Sequence, residues 1–470
     1  MSDALFDQIR ALGARALADQ YRKGALSPLE VAHAVLEAIE RIDSVINAVP
    51  LPLAEPALAQ ARVSETRWRQ GTSIGPFDGV PTLIKDGLPM RGLPVRRGSR
   101  AHAREAPAPT EDAPCVARLQ EAGAVILGKT SMCDYGILPS GYSSQYGPTR
   151  NPWDPTRTSG GSSSGSAAVV AAGLVPFTVG TDIVGSIRQP ASYCGLAGHK
   201  SSYGRVPYHP QNSPSLVAGP MAREVADAAL LMTLLCKPDA RDITSLPPDG
   251  TDYGAELSEA DAAGLRIGVL PALGLGHAPS ATVSTVLQAS AACLQAQGAE
   301  LVPRAVPFSP EDLDCAERFY QVRALSELEL LPDDVQRQAE VLHTWCAPAR
   351  AYGATAHYRD YLGLLALRRR TMELMDDIDY LLLPSAPIAP PPAELPASDP
   401  DRLFDDWAYT FLFNLSEQPA ASINGGFDAD GLPVGVQIVG RRYDDVGVLR
   451  LASVFERARP EAARPVWPIL

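Results

Sequence analysis

The sequence predicts an α/β fold: one large unit over residues 1–470, with a central twisted mixed β-sheet covered by helices on both faces. Three observations predict it. Short β-rich runs alternate with longer helical patterns, the arrangement in which a sheet buries both faces under helices. The last two runs flank Asp428-Ala429-Asp430-Gly431, a turn signal that makes them a hairpin and brings antiparallel pairing into the sheet. The composition, 46% apolar and 20% charged, supplies ample material for a large core.

Taken in order, residues 1–70 read as N-terminal helices. Ser27-Pro28-Leu29-Glu30 is a capping box, with a serine N-cap, proline at the first helical position and glutamate three residues on. Residues 75–235 form a core that carries the candidate catalytic groups. Its β-rich runs are 124–127 and 175–179, followed by a helical pattern over 224–236 in which Val225, Ala229 and Met232 recur at helical spacing. Residues 262–470 complete the sheet and the substrate pocket, with runs at 265–270, 380–383, 420–424 and 434–439. The Pro/Asp/Gly-rich stretches 237–252 and 386–401 read as surface connections. Residues 319–361 read as helical. Their aromatics (Phe319, Tyr320, Trp345, Tyr352, Tyr358, Tyr361) read first as core, with a place near a substrate as the alternative.

The net charge of −13 repels phosphates, so no nucleic-acid partner is expected. The densest basic cluster, Arg91, Arg96, Arg97 and Arg100, reads as a solvated loop. Seven scattered cysteines without a C-x-x-C pair fit a reducing compartment. The first ten residues lack an apolar signal core, and no run reaches the roughly 18 apolar residues of a spanning helix. The expectation is a cytoplasmic protein with no membrane partner. The seven histidines show no paired-ligand spacing, so neither a metal nor another cofactor is expected.

Two motif matches fail on physical grounds. Gly123 to Thr130 fits the Walker A expression, but its four central residues are Ala-Val-Ile-Leu, which make a strand rather than a loop curling around phosphate. Gly161-Ser162-Ser163-Ser164-Gly165 fits G-x-S-x-G, with Ser163 as nucleophile. That elbow needs an apolar strand before it, and a polar, proline-broken stretch stands there instead.

The chemistry lies elsewhere. Residues 160–200 are rich in glycine and serine, running Gly160-Gly161-Ser162-Ser163-Ser164-Gly165-Ser166, and then Gly180-Thr181-Asp182-Ile183-Val184-Gly185-Ser186-Ile187-Arg188. Upstream stands Gly79-Val80-Pro81-Thr82-Leu83-Ile84-Lys85. These segments, with others over 122–130, 219–231, 265–270, 379–384 and 431–440, closely resemble the amidase signature family in order and spacing. The resemblance implies a nucleophile at Ser186, a bridging serine at Ser162, 24 residues earlier, and a catalytic lysine at Lys85. It also implies an oxyanion loop built on the backbone of Ile183, Val184 and Gly185.

The chemistry is coherent without the name. No motif places a histidine beside a serine, so a lysine must serve as base. Its usual pKa of about 10.4 must then come down toward neutrality, which burial does by penalising the ammonium form. Ser162 would relay the proton between Ser186 and Lys85. Val184 departs from the family, which has glycine there. Either the loop keeps negative φ at Val184 or the site is strained, and the valine could narrow the pocket.

The resemblance implies hydrolysis of a small-molecule amide, anilide, carbamate or urea-type bond through an acyl-enzyme, and a homodimer is the default expectation for the assembly. A small apolar or aromatic substrate is expected rather than a lipid. The alternative is the A subunit of a glutamine-dependent aminoacyl-tRNA amidotransferase. Those subunits carry a Ser-Leu-Asp-Gln stretch before a Gly-Pro, where this chain has Pro214-Ser215-Leu216-Val217-Ala218. A binding protein on a retired scaffold is a third class, and the intact Lys85, Ser162 and Ser186 speak against it.

Overall fold

The computed structural model describes residues 2–103, 107–211, 213–248 and 250–468. Thirteen strands occur among them: β1 (Leu51–Pro52), β2 (Pro81–Lys85), β3 (Val125–Thr130), β4 (Arg150–Asn151), β5 (Asp154–Thr158), β6 (Phe177–Asp182), β7 (Ala197–Lys200), β8 (Val217–Ala222), β9 (Arg266–Val269), β10 (Glu300–Pro303), β11 (Tyr380–Pro384), β12 (Ala420–Phe427) and β13 (Pro433–Val439). Eleven form one mixed sheet in the order β1-β3-β2-β6-β8-β7-β12-β13-β11-β9-β10, while β4 and β5 pair as a separate hairpin.

Every residue of β2, β3, β6, β8, β11 and β13 is buried. Successive side chains point to opposite faces of a sheet, so unbroken burial requires both faces to be covered. Helices supply the cover: Ser164–Ala171 packs on β2, β3, β6 and β8, and Arg188–Cys194 on β7, β12 and β13. All six predicted runs are strands, and β12 and β13 pair antiparallel as expected.

The strands that the pattern missed are instructive. Strands β7 and β8 read Ala-Gly-His-Lys and Val-Ala-Gly-Pro-Met-Ala, sequences without branched runs. Gly219 is there because the neighbouring backbone comes close: a Cβ would lie 2.1 Å from the His199 carbonyl oxygen. The run 123–128 is mostly strand β3, as its apolar residues require, and not a phosphate loop.

The N-terminal region is helical apart from the short β1. At its centre the helix Pro28–Ile46 starts on the complete capping box, with both Ser27–Glu30 hydrogen bonds formed. The stretch 386–401 is partly packed rather than wholly superficial, since Ala393 N–H donates to the Thr156 carbonyl at 2.9 Å. Residues 319–361 lie mostly in helices, with Tyr320 and Trp345 packed against Phe404 and Tyr358 and Tyr361 exposed. No helix among the described residues is long and apolar enough to cross a membrane.

Candidate active site

Strand β2 ends on Lys85, and its parallel neighbour β6 ends on Asp182. Residues 183–187 then turn into the helix Arg188–Cys194. Ser162 and Ser163 come from the loop that enters the helix Ser164–Ala171. The sheet therefore fixes one wall of the site and two glycine-bearing loops bring the serines to it.

Lys85 is wholly buried, with Nζ 2.8 Å from Ser162 Oγ, 2.9 Å from Ser163 Oγ and 2.8 Å from Thr181 Oγ1. Burial brings its pKa down to about 7, against weaker upward pulls from Cys133, Asp182 and Asp86. The three hydroxyls differ in what they can do. Ser163 donates its proton to the Thr181 carbonyl at 3.3 Å and accepts from the Thr181 N–H at 3.2 Å. Ser162 Oγ has no protein partner other than Lys85 among the described residues, so its proton is uncommitted. The peptide bond Gly161–Ser162 is cis.

Ser162, Thr181, Ile183 and Ser186 line one cleft with a free volume of about 50 Å³. Ser186 Oγ is buried there without a hydrogen-bond partner among the described residues. The structure thus joins Lys85 to Ser162 directly and places Ser186 in the same cleft. It does not close the Ser186–Ser162 hydrogen bond that a proton relay would use.

The loop carrying Ser186 is built around Asp182. Its carboxylate accepts from Gly185 N–H at 2.7 Å and Ile187 N–H at 3.1 Å, and pairs with two nitrogens of Arg188 at 3.0 Å. Burial alone would raise this carboxyl, but the Arg188 guanidinium, with help from Lys200 and Asn414, holds its pKa at about 2. Thr410 Oγ1 donates to the Val184 carbonyl at 2.6 Å and buttresses the loop from the far side.

Of the two alternatives at Val184 the loop takes negative φ, while two other expectations are revised, that the valine narrows the pocket and that Gly185 donates to the oxyanion. Val184 keeps out of the left-handed region, which falls instead on Gly185 at φ 139°, where a Cβ would lie 2.1 Å from Thr410 Oγ1. The valine is packed away from the cleft, and Ile183 lines it in its place. In the expected oxyanion set of Ile183, Val184 and Gly185, the Gly185 N–H is committed to Asp182. The N–H groups of Ile183, Val184 and Ser186 have no protein acceptor among the described residues.

Sequence reasoning missed Thr181, Asp182 and Arg188, and treated Ser163 only as a false nucleophile. Their signal was positional: Thr181 and Asp182 close a strand just before Ser186, and Arg188 follows two residues after it. The arginine cluster also needs correction. Arg97 is not a solvated loop residue: it lies over the Tyr135 ring at 4.7 Å, pairs with Glu327 at 2.5 Å and lines the cleft with Tyr135, Tyr208, Leu216 and Arg323. None of the aromatics of 319–361 lines it. Among the described residues no three His, Cys, Asp or Glu are grouped to hold a metal ion.

Comparison with known proteins agrees with this architecture. Residues 30–449 match the family described as Amidase. The A subunit of a glutamyl-tRNA(Gln) amidotransferase from Chloroflexus aurantiacus is 35% identical, covering 92% of this chain and 94% of its own. Among solved structures, a bacterial aryl acylamidase of the amidase signature family superposes with a TM-score of 0.86 at 27% identity, over 96% of this chain and 97% of that one. The amidotransferase A subunit of Thermotoga maritima gives 0.79 at 27% identity, over 98% of both chains. On the family match, and on a fold shared along nearly its whole length, this chain belongs to the amidase family, the amidase signature enzymes.

Proposed function

We propose that this chain cleaves a C–N bond by acyl transfer to Ser186, with Ser162 relaying the proton to Lys85. The observation that carries the reading is Lys85, an amine sealed among three hydroxyls with a pKa near neutrality. A neutral Lys85 takes the Ser162 proton as Ser162 takes that of Ser186, and Ser186 Oγ attacks the carbonyl carbon. The oxyanion meets the N–H groups of Ile183 and Val184, donors of a kind worth about 3–4 kcal/mol each. The proton then returns through Ser162 to the leaving nitrogen and the amine departs. Water repeats the cycle to free the acid. Closure of the Ser186–Ser162 hydrogen bond is left to substrate binding, as is common for catalytic contacts that are open in a free enzyme.

Two settings suit this chemistry: a free-standing hydrolase of small amides, and the amide-splitting subunit of an amidotransferase. The similarity at 35% identity over almost the whole chain favours the second more strongly than the sequence motifs do. For the first speak the higher structural likeness to the acylamidase and the apolar Leu216, which lines the cleft within the stretch that departs from the amidotransferase pattern. The comparisons back the amidotransferase setting better, and the hydrolase reading rests on Leu216 and on the acylamidase likeness.

The test is turnover by the purified chain alone on a panel of anilides, aliphatic amides, carbamates, ureas and glutamine, beside Ser186→Ala. Turnover lost in the variant supports the hydrolase. Glutamine cleavage that appears only after partner subunits are added supports the amidotransferase. Turnover that survives Ser186→Ala overturns both.

A further inference from the structure

The cleft carries a charged group that the proposed chemistry does not use. Arg97 pairs with Glu327 at 2.5 Å, and Glu327 pairs in turn with Arg323 at 2.8 Å. The side chains of Arg97, Glu327 and Arg323 are 18%, 18% and 13% exposed. One carboxylate between two guanidinium groups leaves an excess positive charge, and the arginines line the same cleft as Ser186. Two donors there are unspent. The Tyr135 hydroxyl, on a residue 4% exposed, and the Arg323 Nε–H have no hydrogen-bond partner among the described residues, and neither do the two Glu327 oxygens, whose contacts with the arginines are ion pairs. Buried donors without acceptors are costly, and a substrate oxygen would relieve them.

The backbone holds this group in place. Asp86 accepts from Arg96 N–H at 3.1 Å and Gly98 N–H at 2.9 Å, gripping the loop on either side of Arg97. Tyr135 N–H donates to the Arg97 carbonyl at 2.9 Å, and both residues sit at φ 50°. Burial pushes the Tyr135 and Tyr208 hydroxyls up to about 12, so both remain protonated donors at neutral pH.

We infer that Arg97, Arg323 and Tyr135 form a subsite for a carboxylate on the substrate, so that the amide cleaved at Ser186 belongs to a net-anionic molecule. The inference rests on the proposed amidase reading and narrows its substrate class. It also replaces the expectation of an apolar or aromatic substrate, since an uncharged one would leave the excess charge and both donors unanswered. Guanidinium groups suit the role because they bind carboxylates through paired, charge-assisted hydrogen bonds. Glu327 acts as the internal counter-ion that keeps the two arginines apart and aimed when no substrate is bound.

The experiment compares succinamate with its uncharged analogue butanamide, together with longer ω-carboxyamides and glutamine. Wild type is expected to favour the best carboxyamide over its neutral analogue by about tenfold or more in kcat/KM. Arg97→Gln should remove that preference by raising KM for the anionic substrate about tenfold more than KM for butanamide. Arg323→Gln should act alike, and because it is more deeply buried, Arg97→Gln decides the matter if it fails to fold. Glu327→Gln should strengthen the preference. Glutamine, whose ammonium cancels its carboxylate, should trail succinamate.

Equal use of charged and neutral amides, or glutamine ahead of succinamate, would overturn the subsite. So would an Arg97→Gln variant that loses both substrates equally. Calorimetric titration of Ser186→Ala with the same compounds separates this inference from the one beneath it. Selective binding of the carboxyamide without wild-type turnover of any amide would sustain the subsite and sink the amidase reading.

Discussion

Lys85 and Lys129 end up as neighbours on adjacent parallel strands, since Lys129 of β3 lies opposite Ile84 of β2. Both are buried, and burial lowers both pKa values, to about 7 and about 8. Their partners differ. Lys85 meets three hydroxyls, which can accept or donate, so its amine can lose a proton without orphaning any of them. Lys129 Nζ donates to the carbonyls of Asp86, Leu88 and Pro94 at 2.9, 3.1 and 3.3 Å, with the Asp86 carboxylate 4.0 Å away. Carbonyls only accept, so Lys129 is useful as a triple donor and holds the 86–94 loop. On the proposed mechanism, what turns a buried lysine into a base is the kind of oxygen around it, more than the depth of burial.

This contrast can be broken by experiment. The largest expected effect is on rate: Ser186→Ala and Lys85→Met should each lower kcat by about a thousandfold or more, with little loss of thermal stability. Lys129→Met should do the reverse. Two buried carbonyls and the half-buried one of Pro94 lose their donor, at about 1–3 kcal/mol for each buried group left unsatisfied, while kcat per folded molecule stays within about tenfold of wild type. A calorimetric scan beside active-site titration separates the two. If Lys129→Met instead destroyed activity in a protein of unchanged stability, the division of roles would be wrong.

The pH dependence sharpens the same point. The base works when neutral, so kcat/KM should fall as pH drops through about 7 and level off above it. That acidic limb should persist in Lys129→Met. The smallest effect expected is that of Ser163→Ala. On the proposed mechanism Ser163 orients Lys85 without relaying a proton, so its loss should cost about tenfold in kcat and move the acidic limb, whereas Ser162→Ala should approach the loss expected for Lys85→Met.

The residues proposed for the chemistry could be named from the sequence, for a specific reason. Lys85, Ser162 and Ser186 lie in short segments whose residue types and spacing are constrained together. The buried sheet was legible too, because runs such as 124–127 and 434–439 are continuously apolar or nearly so. What escaped were features set by long-range contact. Nothing local to Arg97 says that Glu327, 230 residues away, will pair with it over Tyr135. At Val184 the sequence left two alternatives, negative φ or strain, because it does not say which residue of the loop takes positive φ. The fold puts that burden on Gly185, against Thr410. The Asp182 clamp was invisible for the same reason: it uses a carboxylate to tie up an N–H that the motif alone would count as an oxyanion donor.

The most direct test of the central claim needs no knowledge of the substrate. The rate at which a fluorophosphonate labels Ser186, read by mass spectrometry across pH, reports the activated nucleophile alone. The rate should climb through pH of about 7 to a plateau, vanish in Lys85→Met and survive in Lys129→Met. A flat profile, labelling that persists without Lys85, or an adduct on Ser163 would contradict it.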